Sequence, residues 1–135
     1  YTNALVISPA LNYIEDNYMN DFHIDSLADL CHVSLTHFRR VFHEIMSKSP
    51  LDYLNNIRVL KACNLISSTE HSILTISEMV GFRSISNFNR HFGKTMLVTP
   101  REYRNKMIQK GQKGEMPSIL TCSGWMLPEK TPPSC

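Results

Sequence analysis

Polar side chains alternate with phenylalanines in the run SISNFNRHFGK, which covers residues 84–94. Serine and asparagine both donate and accept hydrogen bonds, and an arginine guanidinium donates two parallel bonds to one flat acceptor surface. Phe88 and Phe92 offer apolar surface for packing. The chemistry available to this mixture is therefore recognition through directed hydrogen bonds, made by polar side chains that an apolar face holds in place.

The same mixture occurs twice, because the sequence repeats itself. At an offset of 50, Phe38, Arg40, Phe42, Pro50 and Tyr53 recur as Phe88, Arg90, Phe92, Pro100 and Tyr103. Upstream the offset is 49, and Leu27, Leu30, Cys31 and Val33 match Ile76, Met79, Val80 and Phe82. The second copy therefore has one extra residue in its turn, where Gly81 would ease a left-handed backbone. Each copy is predicted to be a short helix, a turn and a longer helix, the pattern of a helix-turn-helix module.

Each longer helix is predicted to have a buried face and a polar face when its residues are placed at intervals of about 100°. In the first copy the residues expected to be buried are Leu35, Phe38, Val41, Phe42 and Ile45; those expected to point outward are Thr36, Arg40, His43 and Ser47, flanked by Arg39. In the second copy the corresponding buried set is Ile85, Phe88, His91, Phe92 and Thr95; the outward set is Ser86, Arg90 and Gly93, flanked by Asn87 and Asn89. Under the offset of 50 the two outward sets match at Thr36 with Ser86 and at Arg40 with Arg90.

The outward residues have the types that read base edges in DNA. Arginine donates two bonds to guanine, asparagine pairs in both directions with adenine, and serine or threonine suits several bases. A solvated polar face is the alternative explanation for any single residue, but two matching faces in a duplicated unit favour recognition. The sequence therefore predicts two DNA-reading helices, with Arg40 and Arg90 as their principal residues.

The distribution of charge is consistent with an anionic partner. Residues 1–30 carry five acids and no lysine or arginine, whereas residues 83–106 hold six basic residues against one acid. Contacts to backbone phosphates, which position a protein without reading sequence, are predicted at Ser34, Lys48, Ser84, Lys94, Arg101 and Arg104. A helical protein-interaction domain that binds an acidic partner through this basic face remains the alternative function.

Helix-start signals predict seven helices and no strand, an all-α fold. The predicted starts are Ser8-Pro9, Asp25, Ser34, Ser49-Pro50, a capping box from Thr75 to Glu78, Ser84, and a second capping box from Thr99 to Glu102. The resulting division is a lead-in (1–7), a first module (8–49), a linker helix (50–68), a second module (69–109) and a flexible tail (110–135) rich in glycine and proline. A linker helix of this length would span about 27 Å, comparable with the roughly 34 Å between successive major grooves.

Other classes of function find no support in the sequence. It contains no phosphate-loop motif, no G-x-S-x-G elbow, no H-E-x-x-H pair and no dinucleotide fingerprint, so we expect no catalysis. Cys31, Cys63, Cys122 and Cys135 lack zinc-site spacing, and we expect neither a metal nor an organic cofactor. No apolar span or signal peptide is evident, which predicts a cytoplasmic protein. Because the chain begins at Tyr1, we expect it to be a piece of a longer protein.

Over residues 8–106 the sequence resembles the DNA-binding domain of AraC/XylS-type transcription regulators. The residues that carry the resemblance in the second copy are Ile76, Val80, Gly81, Phe82, Ser84, Asn87, Phe88, Arg90, Phe92, Lys94, Thr99, Pro100, Tyr103 and Arg104. Those in the first copy are Leu27, Ala28, Ser34, Phe38, Arg40, Phe42, Ser49, Pro50, Tyr53, Arg58 and Ala62.

The resemblance implies a bacterial regulator whose third and sixth helices enter adjacent major grooves of double-stranded DNA. By position, it implies base contacts from Thr36, Arg39, Arg40, Ile85, Ser86, Asn87 and Arg90. Ile85 departs from a polar residue, and would contact a thymine methyl group or pack. The resemblance also implies RNA polymerase as a partner of an activator, and a separate effector or dimerisation domain outside these residues.

Overall fold

The computed structural model describes residues 2–113, which form seven α-helices and no strand. The helices are α1 (Thr2–Asn17), α2 (Ile24–Leu30), α3 (Leu35–Met46), α4 (Pro50–Ser68), α5 (Ile73–Met79), α6 (Ile85–Met96) and α7 (Pro100–Lys113). The predicted all-α fold with seven helices is confirmed. None of the helices in the described part of the chain is long and apolar enough to cross a membrane.

The chain divides into two compact units at Arg58 and Val59, within α4. In the N-terminal unit, α1, α2 and α3 pack on one another. The buried apolar side chains are Ile7, Ala10, Ile14, Leu27, Ala28, Cys31, Phe38, Val41, Phe42, Tyr53, Leu54 and Ile57. Phe42 is central to this core, because its ring lies 5.6 Å from that of Phe38 and 5.5 Å from that of Tyr53.

The C-terminal unit repeats this packing with matched residues. Here α6 packs against α5 and α7. The Phe92 ring lies 5.6 Å from that of Phe88 and 5.7 Å from that of Tyr103, the counterparts of Phe38 and Tyr53. Met96, which the sequence analysis did not assign to the buried face, is fully buried at the end of α6.

The turn between α2 and α3 and the turn between α5 and α6 are built in the same way. His32 has φ 58° and Gly81 has φ 105°, and the two residues are equivalent in the repeat. In the first turn the amide of Val33 donates to the carbonyl oxygen of Ala28, five residues earlier. In the second turn the amide of Phe82 donates to the carbonyl oxygen of Ser77, also five residues earlier. This bond and a left-handed residue define the Schellman ending of a helix. Four residues separate α2 from α3 and five separate α5 from α6, which confirms the extra residue in the second turn.

Several predicted helix starts are confirmed by their capping bonds. The Ser34 hydroxyl accepts from the amide of His37 at 3.2 Å, and the Ser84 hydroxyl accepts from the amide of Asn87 at 3.1 Å. Ser49 likewise accepts from the amide of Asp52, which begins α4 as predicted. These bonds satisfy amide groups that have no partner within the helix.

Three predicted helix starts are wrong. α1 begins at Thr2 and passes through Pro9, because burial of Ile7, Ala10 and Ile14 offsets the hydrogen bond that a proline removes. α2 is capped at His23 without a side-chain bond, and Asp25 lies in its first turn. The predicted capping box from Thr75 is replaced by Ser72, whose hydroxyl accepts from the amide of Thr75 at 3.1 Å.

The last helix is longer than predicted. Its capping box is confirmed at Thr99 and Glu102, but it continues to Lys113, so residues 110–113 extend the helix and do not begin the tail. The remainder of the predicted tail, including Cys122 and Cys135, lies outside the described residues.

Candidate nucleic-acid interface

The polar face of α3 lies in solvent, as the helical arrangement predicts. Thr36, Arg39, Arg40 and His43 are exposed, and so is Ser47, the left-handed residue that caps α3. On the opposite side Phe38, Val41 and Phe42 are buried, with Leu35 and Ile45 half-buried beside them. The apolar face thus fixes the rotation of α3 and directs the polar side chains outward.

The polar face of α6 is arranged in the same way. Ser86, Asn87, Asn89 and Arg90 are exposed, while Phe88 and Phe92 are fully buried on the other side. Gly93 has open space where a side chain would project, so this end of the helix surface is slim. Each polar residue that the sequence analysis placed on the outward face of α6 is therefore accessible to a partner.

Arg40 makes two side-chain contacts along α3. Its Nη2 lies 2.8 Å from Nδ1 of His37, and its Nη1 lies 3.6 Å from Oε1 of Glu44. The side chain nonetheless remains 64% exposed. The guanidinium is therefore held close to the helix while its outer edge stays open.

Arg90 donates a hydrogen bond along α6, from its Nη2 to Oδ1 of Asn87 at 3.3 Å. Asn87 is the counterpart of His37, so both arginines bond to the residue three positions earlier. The structure brings Asn87 and Arg90 together on one exposed face, although the helical angle of Asn87 places it to the side.

Ile85 is the apolar member of the predicted base-contact set. It is half-buried and lines an open cleft of about 1200 Å³ together with Leu74, Asn89 and Leu97. Part of the Ile85 side chain therefore packs and part remains accessible, which leaves a thymine methyl contact available to it.

The predicted phosphate-contacting residues differ in their accessibility. Lys94 and Arg101 are exposed and Lys48 is half-buried. Ser34 and Ser84 are exposed at the N-termini of α3 and α6, where each hydroxyl accepts one amide bond and keeps its own proton to donate. These N-termini carry partial positive charge, which favours a phosphate.

Arg104 has a structural role that the sequence analysis did not anticipate. Its Nε and Nη2 donate to the carbonyl oxygens of Ile66 and Thr69, both at 3.3 Å, and the side chain is half-buried. These carbonyls lie at the C-terminal end of α4, where backbone acceptors lack helical partners. Arg104 is thus less available for phosphate than Arg101.

Two residues near the site were not named from the sequence, His37 and Glu44. Their spacing could have identified them, because residues three and four positions apart on a helix are neighbours. His37 precedes Arg40 by three positions, and Glu44 follows it by four. Among the described residues, no cluster of histidine, cysteine, aspartate or glutamate could hold a metal ion. Burial raises the pKa of the Cys63 thiol to about 12, which keeps it protonated in the core, away from the polar faces.

Comparison with known proteins identifies the family. A family model described as a helix-turn-helix domain matches residues 27–106. The melibiose operon regulatory protein of Escherichia coli K12 is 30% identical over 106 residues, which are 78% of this chain and 35% of that protein. A transcriptional regulator from Chromobacterium violaceum, described as AraC-type, has a TM-score of 0.73 at 26% identity, covering 80% of this chain and 96% of that one.

A further solved structure, the DNA-binding domain of AdpA in complex with a target DNA, shares the fold. Its TM-score is 0.71 at 24% identity, with 84% of this chain and 97% of that chain covered. Two helix-turn-helix modules define the class of this protein. The chain belongs to the AraC-type helix-turn-helix family of transcription regulators. It spans about a third of the length of the curated relatives it matches, which are named as regulators and not as enzymes.

Proposed function

We propose that this chain binds double-stranded DNA sequence-specifically, as the DNA-binding part of a longer bacterial transcription regulator. The observation that carries the proposal is the pair of matched polar faces on α3 and α6. Thr36 and Arg40 on one helix, and Ser86 and Arg90 on the other, are all exposed opposite buried phenylalanines. The family supports the same function, and the related fold of AdpA binds a target DNA.

In this proposal α3 and α6 each lie in a major groove, in adjacent segments of one duplex. The base-contacting residues are Thr36, Arg39, Arg40, Ile85, Ser86, Asn87 and Arg90. Arg40 and Arg90 pair with guanines, because a guanidinium matches the two acceptors that guanine presents in that groove. Asn87 suits an adenine, and the hydroxyls of Thr36 and Ser86 tolerate several bases.

Contacts to the phosphates supply affinity and fix the position of each helix. We assign them to Ser34, Lys48, Ser84, Lys94 and Arg101. Arg104 contributes less to phosphate binding, because two of its donors bond to carbonyl oxygens at the end of α4. Such contacts are independent of sequence and weaken with salt. The affinity for selected and random duplexes alike should therefore fall steeply as the salt concentration rises.

Selection from a library of random duplexes tests the proposed function directly. A two-part motif, with each part containing a guanine contact, is the expected result. Recovery of no motif would contradict sequence-specific binding and would favour the alternative, a protein-interaction domain with a basic face. Selection of a motif with one part only would contradict the assignment of a reading role to both helices.

A matched pair of variants on α6 separates base reading from phosphate contact. Arg90→Ala should weaken binding to the selected duplex by about 1–3 kcal/mol and flatten the preference at one base position. Lys94→Ala should weaken selected and random duplexes by the same factor. Equal losses on both duplexes for Arg90→Ala would refute its base-reading role.

For the intact protein we propose an activator in the cytoplasm, where it reaches the chromosome. RNA polymerase would be its second partner, and an effector or dimerisation domain would lie outside these residues. The proposal of a further domain is supported by the share of the relatives that this chain spans, about a third. We propose no catalytic activity and no cofactor, in keeping with the family.

A further inference from the structure

The two principal arginines are held differently on their helices. Arg40 has a contact on each side, since His37 lies one turn before it and Glu44 one turn after it. Arg90 contacts Asn87, one turn before it. The residue equivalent to Glu44 is Lys94, which is basic and offers no acceptor to a guanidinium.

In the contact with His37 the imidazole nitrogen is the hydrogen-bond acceptor. A guanidinium has no acceptor, so Nδ1 of His37 must accept from Nη2 of Arg40 at 2.8 Å. Asn87 Oδ1 has the equivalent accepting role toward Arg90, at the longer distance of 3.3 Å.

The contacts of Arg40 leave donors for a base. Of the five N–H groups of a guanidinium, His37 engages one on Nη2 and Glu44 faces one on Nη1. One N–H remains on each of these nitrogens, and Nε–H remains as well. Three N–H groups therefore remain for a guanine edge while His37 and Glu44 keep their contacts with Arg40.

We propose that His37 and Glu44 are positioning residues that fix the Arg40 guanidinium for one base position, so that α3 discriminates more sharply there than α6 does through Arg90. This rests on the proposed function, base reading by Arg40. A guanidinium held on both sides loses less side-chain freedom on binding, and it is restrained from turning to a neighbouring base or phosphate. A base that lacks two acceptors in the right place is then bound only weakly by the Arg40 guanidinium.

The test uses the selected duplex and its three single-base changes at the position assigned to Arg40, with binding measured by fluorescence anisotropy. His37→Ala removes one acceptor without changing net charge, and should reduce discrimination at that position about fivefold, the scale of one hydrogen bond. His37→Asn installs the acceptor that α6 uses, and should restore discrimination to within about twofold of wild type. Arg90's base position should be unchanged in both variants.

Glu44→Ala removes the second contact and also a negative charge. A purely electrostatic role for Glu44 would raise affinity for all four duplexes by one factor and leave their ratios unchanged. A positioning role should raise affinity for random duplex and reduce discrimination at the Arg40 position about twofold, the scale of an exposed ion pair one turn apart on a helix. In an Arg40→Ala background, Glu44→Ala should leave the ratios as they are, because there is no guanidinium to position.

The outcomes separate this proposal from the proposed function. Wild-type discrimination in both His37→Ala and Glu44→Ala, with a clear loss in Arg40→Ala, would overturn the positioning role and leave base reading intact. Absence of any selected motif would overturn the proposed function itself. Circular dichroism melting of each variant confirms the fold, and all three substituted side chains lie at least partly in solvent on α3.

Discussion

Thr99 and Glu102 hold each other's backbone at the start of α7. The amide of Thr99 donates to Oε1 of Glu102 at 2.8 Å, and the amide of Glu102 donates to Oγ1 of Thr99 at 3.1 Å. Two amides that have no helical partner are thereby satisfied. Hydrogen bonds from the backbone amide and the side chain of Thr99 favour the ionised carboxylate and lower the pKa of Glu102.

The lowered pKa of Glu102 predicts a dependence of stability on pH. A carboxylate whose pKa is lower in the folded state adds stability above its unfolded pKa, and loses it as the pH falls through the folded pKa. The difference in Tm between wild type and Glu102→Ala should therefore be constant from about pH 6 to 8 and shrink below about pH 4.

Glu102→Gln is the matched control, because its side-chain oxygen can accept the amide bond but does not ionise in this range. The difference in Tm between Glu102→Gln and Glu102→Ala should be independent of pH. A pH-independent difference between wild type and Glu102→Ala would show that the charge of Glu102 contributes nothing.

Leu97 has a left-handed backbone conformation, which glycine adopts more readily than leucine. It caps α6 with φ 63°, in the left-handed region, and its side chain is 79% exposed. Leu97→Gly should raise the free energy of unfolding by about 1 kcal/mol relative to Leu97→Ala, since glycine adopts this backbone without strain. Leu97→Ala removes the same side chain and keeps the strain, so urea unfolding of the two variants isolates the backbone effect. Equal stabilities would contradict the prediction.

The two described cysteines should differ in reactivity. Burial raises the pKa of both thiols, that of Cys63 to about 12, and the thiolate is the reactive form. In a background with Cys122→Ser and Cys135→Ser, iodoacetamide at pH 8 should modify Cys31 first and Cys63 only through unfolding. In denaturant both should react alike. Modification of folded Cys63 as fast as Cys31 would show that the core around it opens readily.

The arrangement of the interface could be predicted because it depends on short-range periodicity. The burial of Phe88 and Phe92 fixes the rotation of α6, so that a spacing of 3.6 residues is sufficient to expose Ser86 and Arg90. The caps at Ser34 and the box at Thr99 were equally local. Each depends on residues at most three positions apart.

Features that depend on distant parts of the chain were not predictable. The Ser8-Pro9 pair predicts a helix start, but packing of Ile7 into the core extends α1 toward the N-terminus. The cap at Ser72 is local but was equally hard to predict, because Ser72 and Thr75 both have side chains suited to capping and residue type alone does not distinguish them. The role of Arg104 depends on the place where α4 ends, and its charge carries no information about that end.

The contrast between Arg104 and Arg101 provides a final prediction. Arg104 donates to two carbonyl oxygens, whereas Arg101 is exposed on the same helix. Arg104→Met should lower the free energy of unfolding by about 1–2 kcal/mol, since carbonyls at the end of α4 lose a charged donor, and the methylene stem is largely preserved. Arg101→Met should change stability by less than about 0.5 kcal/mol and weaken binding to selected and random duplexes equally.

Urea unfolding and fluorescence anisotropy on the same two variants measure both effects. Replacing Arg104 with lysine tests the bonds to the two carbonyl oxygens, because one ammonium group cannot span two acceptors as the guanidinium does. Arg104→Lys should therefore recover only part of the stability lost in Arg104→Met. Full stability in Arg104→Met, combined with a loss of DNA affinity, would instead place Arg104 among the phosphate-contacting residues and remove its role at the end of α4.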